Sequence, residues 1–330
     1  MSEIYPWHQS QWQTVHERMA QGRLPHGILL TGPAGVGKRQ FAQQLAELLL
    51  CQTPSDGQAC GRCRTCALLL AHSHPDLDEV KPPEDKKIIT VDLVREVAHF
   101  LSLTSQYQQY KVVVISPADA MNVNAANSLL KTLEEPTSGS ILFLVTHQPA
   151  QLPATIRSRC QELKFTPAAP EIARPWLSQQ LPNYKNIDAL LSMSKGAPLK
   201  ALQIADKGLV EQRLELLLGL ERLAARKVDP LTLSKQWLNI DGENSLYWMY
   251  DWVADMIRLS SVSTRSALPF ESPDIKLRLS HLADKSDLSR LIPQLDRVSQ
   301  AIRHSRHNYN AQLAMEDLLV QWMYCFSKPN

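Results

Sequence analysis

Short, wholly apolar runs alternate with helical patterns through the first half of the chain. Gly27-Ile28-Leu29-Leu30-Thr31, Lys111–Ile115 and Ile141–Thr146 are rich in aliphatic residues and bounded by turn residues. Runs of that kind predict strands buried on both faces. After Thr31 comes a turn, then Phe41, Leu45, Leu48 and Leu49 at helical spacing. Asn124–Glu135 places Leu129, Leu130 and Leu133 on one helical face, with Pro136 as its stop. Strands alternating with helices predict a parallel α/β sheet. Residues 81–87 (Lys-Pro-Pro-Glu-Asp-Lys-Lys) predict an exposed loop, and Pro167-Ala168-Ala169-Pro170 a domain boundary.

Beyond that boundary no strand pattern recurs. Ile187–Ala205 predicts a small helical segment interrupted at Gly196-Ala197-Pro198. From about 208 the apolar spacing is helical throughout. Leu214, Leu217, Leu218 and Glu221 share part of one face, and Trp248, Trp252, Met256 and Leu259 another. Leu288, Leu291, Leu295, Val298 and Ile302 form a third stripe, with Pro293 bending that helix or marking its first turn. Ala311, Met315, Leu318, Trp322 and Phe326 form the last. Core packing accounts for most of the tryptophans here; a bundle that also buries area against partner subunits is the sharper reading. The expected organisation is an α/β domain over 1–166, a small helical domain over 167–207 and an all-α domain over 208–330.

Composition narrows the class. With 330 residues, 44% hydrophobic and 21% charged, the chain is long enough for two or three cores and is not of disordered type. No apolar run approaches the roughly 18 residues that span a bilayer. Met1–Trp7 lacks the basic-then-apolar pattern of a signal peptide. A cytoplasmic protein with no membrane partner is the expectation. A net charge of +2 argues against a strong stand-alone DNA binder. Lys86-Lys87 and Arg303-His304-Ser305-Arg306-His307 are the only basic hints, and such runs are more often solvated faces.

Two patterns carry chemistry. Gly32-Pro33-Ala34-Gly35-Val36-Gly37-Lys38 matches the phosphate-binding loop G-x-x-x-x-G-K, placed between a predicted strand and a predicted helix. Backbone N–H groups of Gly32, Gly35 and Gly37 and the Lys38 ammonium would face phosphate oxygens. The next residue should be Ser or Thr, whose hydroxyl holds Mg²⁺; here it is Arg39, which has no acceptor to offer. The apolar strand that should end in a carboxylate ends in Ser116-Pro117. Both departures strike the same ion. The loop fold is expected to persist without Mg²⁺-dependent hydrolysis, and ATP binding gains little support. The second pattern, Cys51-x8-Cys60-x2-Cys63-x2-Cys66, offers four thiolates for a closed tetrahedral Zn²⁺ site. Without a vacancy for water such a site is structural, and Arg62 and Arg64 can offset its charge. Clustering this dense reads as metal ligation rather than disulfides in a reducing compartment.

Leu129-Leu130-Lys131-Thr132-Leu133-Glu134-Glu135-Pro136, the cysteine spacing, and Leu152–Cys160 with its Ser158-Arg159-Cys160 together resemble bacterial DNA polymerase III clamp-loader subunits. The likeness runs from Tyr5-Pro6-Trp7 to the pattern Asn310-x2-Leu313-x2-Glu316-x-Leu318-Leu319. Motor subunits of that family (gamma/tau) keep Ser/Thr after the loop lysine and an Asp-Glu pair at the strand exit. Arg39, Ser116 and Pro117 instead resemble the delta-prime kind, as do His147 at a sensor position and Leu199 in place of a second-sensor Arg. The resemblance implies an AAA+-like P-loop domain with an inserted zinc module, a helical lid and a helical collar. It implies a hetero-oligomer with gamma/tau and delta that acts in DNA replication. Through that assembly, the resemblance implies, the chain would meet the sliding clamp, primed DNA and the polymerase core, a DNA-directed DNA polymerase (a nucleotidyltransferase, hence a transferase). It also implies that Arg159, framed by Ser158 and Cys160, reaches the ATP of a neighbouring motor subunit as an arginine finger. Two other readings stay open: an active AAA+ ATPase with unusual metal ligation, and a zinc-bearing DNA-binding protein. ATP hydrolysis by the lone chain would mark the first, and salt-sensitive DNA binding the second.

Overall fold

The computed structural model describes residues 3–83, 88–107, 110–261, 273–305 and 310–326. Lys86, Lys87, Arg306 and His307 lie outside the described residues. The chain divides into two units, Met1–Gln179 with Gly196–Lys200, and Gln180–Lys195 with Ala201–Asn330.

In the first unit α1 (Gln9–Ala20) leads to β1 (Gly27–Thr31), α2 (Lys38–Leu50) and α3 (Arg64–Leu70). Next come β2 (Leu77–Val80), α4 (Val91–Ser102), β3 (Lys111–Ile115), α5 (Val123–Glu134) and β4 (Ser140–Val145). A single-turn α6 (Ala154–Arg157), β5 (Gln161–Lys164) and α7 (Pro170–Gln180) complete it. All strand pairs are parallel, in the order β2-β3-β4-β1-β5. The expected strands at 27–31 and 111–115 are present with those bounds, and the third begins one residue earlier, at Ser140.

Pleating divides the strand side chains between two cores. Ile28, Leu30, Val112, Val114, Ile141, Phe143 and Val145 pack with Phe41, Leu45 and Leu49 of α2. Leu29, Val113, Ile115, Leu142 and Leu144 pack on the other face with Val94 and Val97 of α4 and Leu129 and Leu133 of α5. Both faces of the central strands are covered, which is why they read as unbroken apolar runs. The edge strands β2 and β5 carry no such run. Leu-Asp-Glu-Val and Gln-Glu-Leu-Lys bury few side chains, so apolar periodicity does not reveal them.

α5 starts where Asn122 accepts a hydrogen bond from the Ala125 N–H at 2.8 Å, capping a first-turn donor. Its buried face is Ala125, Ala126, Leu129 and Leu133, and it ends at Glu134, two residues before Pro136.

The second unit is helical: α8 (Ile187–Met193), the rest of α9 (Pro198–Asp206), α10 (Leu209–Ala224), α11 (Pro230–Ser261), α12 (Pro273–Lys285), α13 (Leu288–His304) and α14 (Ala311–Tyr324). Trp237, Trp252 and Trp322 are fully buried, and the Trp322 indole donates to Leu220 O at 3.2 Å. The face expected on α10 is corrected. Leu214 is exposed, and the buried stripe is Leu209, Arg213, Leu216, Leu217, Leu220 and Leu223. Leucines on several sides of that helix obscure its true stripe. Pro293 lies inside α13 rather than at its start. No helix among the described residues is long and apolar enough to cross a membrane.

Candidate functional site

The phosphate loop sits between β1 and α2, where the sequence placed it, and its lysine is buried while Pro33 and Ala34 are exposed. Gly37 adopts a left-handed conformation (φ 92°) at the start of α2, which a side chain would strain. A Cβ on Gly35 (φ 78°) would also meet Lys200 Cβ at 2.5 Å. The Leu199 N–H donates to Gly35 O at 3.0 Å, so the start of α9 lies directly on the loop. From the other side Trp7 Nε1 and His8 Nε2 both reach Val36 O, at 2.9 and 2.7 Å. Tyr5 stacks on Trp7, and Trp176 meets both rings edge-on.

Lys38, only 2% exposed, donates to Gly32 O and Pro33 O at 2.6 Å each and to His147 Nδ1 at 2.9 Å. All three of its protons therefore have acceptors in the chain. Burial lowers its pKa to about 8, against an opposing pull from Asp119. Burial lowers the pKa of His147 as well, helped by the neighbouring Lys38 charge. Acceptance from an ammonium fixes the neutral imidazole with its proton on Nε2.

Ser116 and Pro117 leave the β3 exit without a carboxylate, yet an acid stands two residues after Pro117. Asp119 Oδ1 accepts from Thr146 Oγ1 at 2.6 Å and from the His147 N–H at 3.0 Å. Sequence reading missed Asp119, because nothing in one chain ties an acid in a short turn to the end of another strand. Arg39 also has a task that the motif did not reveal. Its Nη2 lies 2.9 Å from Glu79 Oε2, and Gln43 donates to Glu79 Oε1 at 2.7 Å, fastening α2 to the edge strand β2.

The four cysteines converge. Their sulfurs all lie within 4.8 Å of one another, and Cys51–Cys63 and Cys60–Cys66 are each 3.9 Å apart. Four thiolates about 2.3 Å from one Zn²⁺ stand about 3.8 Å apart, so the donor set fits that ion. Cys51 ends α2, Cys66 lies in α3, and the loop between them turns at Asp56-Gly57, where Gly57 O meets His16 Nε2 of α1 at 2.8 Å. The Cys60 N–H donates to Cys51 Sγ at 3.2 Å and the Cys63 N–H to Cys60 Sγ at 3.4 Å. Thr53 donates to Cys60 Sγ as well, and this bond and the Arg62 N–H lower that thiol to about 7. Such donors favour the thiolate form a metal needs. Arg62 and Arg64 are exposed beside the cluster.

Ser158-Arg159-Cys160 follows α6 and precedes β5. Cys160 is half-buried, close to where a Gly27 side chain would begin, and burial raises its thiol to about 11. Ser158 Oγ donates to Thr155 O at 3.2 Å. Arg159, like Ser158, is exposed. Its Nη1 donates to Thr155 O at 3.0 Å and its Nη2 lies 2.6 Å from Glu134 Oε1. The sequence singled out the strings holding Glu134 and Arg159 but did not pair them.

A parallel sheet with a glycine-rich loop opening its first interior helix, helices on both faces and a helical second unit defines an AAA+-like P-loop protein. Residues 7–169 match the family described as DNA polymerase III, delta subunit, and residues 207–323 match DNA polymerase III, delta subunit, C terminal. The chain is 36% identical over 326 residues to DNA polymerase III subunit delta' of Pseudomonas aeruginosa, covering 98% of each. It is 30% identical to the delta' subunit of Yersinia pestis, covering 96% of this chain and 95% of that one. A gamma subunit-related protein from Thermotoga maritima shares 16% identity at a TM-score of 0.46, over 97% of this chain and 99% of that one. The chain belongs to the DNA polymerase III subunit delta' family, as its motifs implied.

Proposed function

We propose that this chain is a non-hydrolysing subunit of a clamp loader, assembled with gamma/tau and delta subunits in the cytoplasm. In this reading 1–166 is the AAA+-like domain, 167–207 its lid and 208–330 the collar through which subunits join. The complex loads the sliding clamp onto primed DNA for the polymerase core, and Arg159 supplies a guanidinium to the ATP held by a neighbouring subunit. Bound Zn²⁺ would hold the 51–66 loop by all four thiolates and take no part in the reaction.

The observation that carries the non-hydrolysing reading is the position of Lys38. Its ammonium is satisfied by Gly32 O, Pro33 O and His147 Nδ1, so a phosphate must break those bonds to engage it. Arg39 brings a guanidinium where a metal-binding hydroxyl would stand, and it is committed to Glu79. Purified alone, the chain is expected to release no phosphate from ATP with Mg²⁺. Turnover abolished by Lys38→Ala would overturn the reading.

A further inference from the structure

Glu134 and Arg159 come from separate motifs, one ending α5 and the other following α6, and the fold closes them into an ion pair of 2.6 Å. Both side chains keep contact with solvent, Arg159 at 36% and Glu134 at 49% exposure. A second bond, from Nη1 to Thr155 O at 3.0 Å, fixes the plane of the guanidinium. One terminal nitrogen is held by a backbone carbonyl, the other by a half-exposed carboxylate that a competing anion can replace.

We propose that Glu134 is a positioning residue that acts as a releasable counter-charge for Arg159. With no polyphosphate alongside, the carboxylate holds the guanidinium in one orientation and neutralises it. An approaching triphosphate of another subunit competes for the same cation. A half-exposed pair contributes little to stability, so several phosphate charges displace it readily. Thr155 O remains as the hinge about which the freed guanidinium turns. The arrangement makes the arginine's full charge available only when a polyphosphate takes the place of Glu134. This inference rests on the trans role of Arg159 proposed above.

The test uses the clamp-loader complex reconstituted with gamma/tau and delta and with four versions of this chain: unchanged, Glu134→Gln, Arg159→Ala and the double variant. ATP concentration is varied in DNA-stimulated hydrolysis to separate KM from kcat, and assembly is checked by gel filtration. Glu134→Gln keeps the shape and removes the competing charge, so KM for ATP is expected to fall roughly two- to five-fold. In the Arg159→Ala background the same change is expected to do nothing. An unchanged KM in Glu134→Gln, or an effect that persists without Arg159, overturns the counter-charge role while leaving the finger intact. If Arg159→Ala itself matches the unchanged complex, the trans reading fails first. Glu134→Asp, with a shorter arm and the charge retained, should lie nearer the unchanged protein than Glu134→Gln; the reverse order also overturns the proposal.

Discussion

Lys38 Nζ lies 2.9 Å from His147 Nδ1, joining the phosphate loop to a residue two places beyond β4. A lysine of the kind that meets phosphate here donates to its own loop and to His147. Lys38→Ala is therefore expected to leave the ATPase of the lone chain at zero and to lower its stability. Removing a cation that satisfies two carbonyls costs about 1.5–3 kcal/mol, measurable by urea denaturation. An unchanged midpoint would mean that these bonds are idle.

His8 supplies a pH test. It is 1% exposed, and burial holds its pKa near 4, below the usual 6.5, despite the opposing Val36 hydrogen bond. The folded value is depressed, so the unfolded chain binds this proton first as pH falls. Stability is lost from about pH 6.5 down to about pH 4, by roughly 3 kcal/mol in all. His8→Phe keeps a ring among Tyr5, Trp7 and Phe41 and is expected to flatten that part of the stability–pH curve.

Asp76 and Lys111 form a buried pair at 3.0 Å, the carboxylate fully enclosed and also accepting from Ser105 Oγ and the N–H groups of Gln106 and Tyr107. Burial opposes ionisation, but these donors prevail and the Asp76 pKa is lowered. Its contribution is present above the ordinary Asp value and disappears as pH falls through the lower folded one. Asp76→Asn leaves Lys111 enclosed without its counter-charge and should cost about 3–5 kcal/mol. Chemical denaturation at pH 7 reads the loss directly.

One zinc per chain is expected by elemental analysis, lost in Cys63→Ala. A chelator should lower the Tm of the unchanged chain, because metal affinity is linked to folding of the 51–66 loop. Metal-free protein with an unaltered Tm would remove zinc from the structural account.

Arg159→Ala should leave folding within about 1 kcal/mol of the unchanged chain, since its ion pair is half-exposed. In the reconstituted complex it should abolish turnover at the ATP site bordering this subunit and spare the others. Equal DNA-stimulated ATPase with and without Arg159 would refute the trans role.

The sequence by itself determined the buried strands at 27–31 and 111–115, the helix that Pro136 follows, the P-loop and the thiol cluster. Each is written in local spacing, which follows from helical or strand periodicity or from the reach of a short loop. Edge strands were invisible because they bury one side chain where a central strand buries five, as Leu163 of β5 and the whole of β1 illustrate. Only the tertiary structure decided that Lys38 faces its own loop and His147, that Arg39 binds Glu79, and that Glu134 grips Arg159. Those partners are brought together by sheet order and helix packing. A charge declares its valence in the sequence, but its partner is fixed by distance, which only the folded chain supplies.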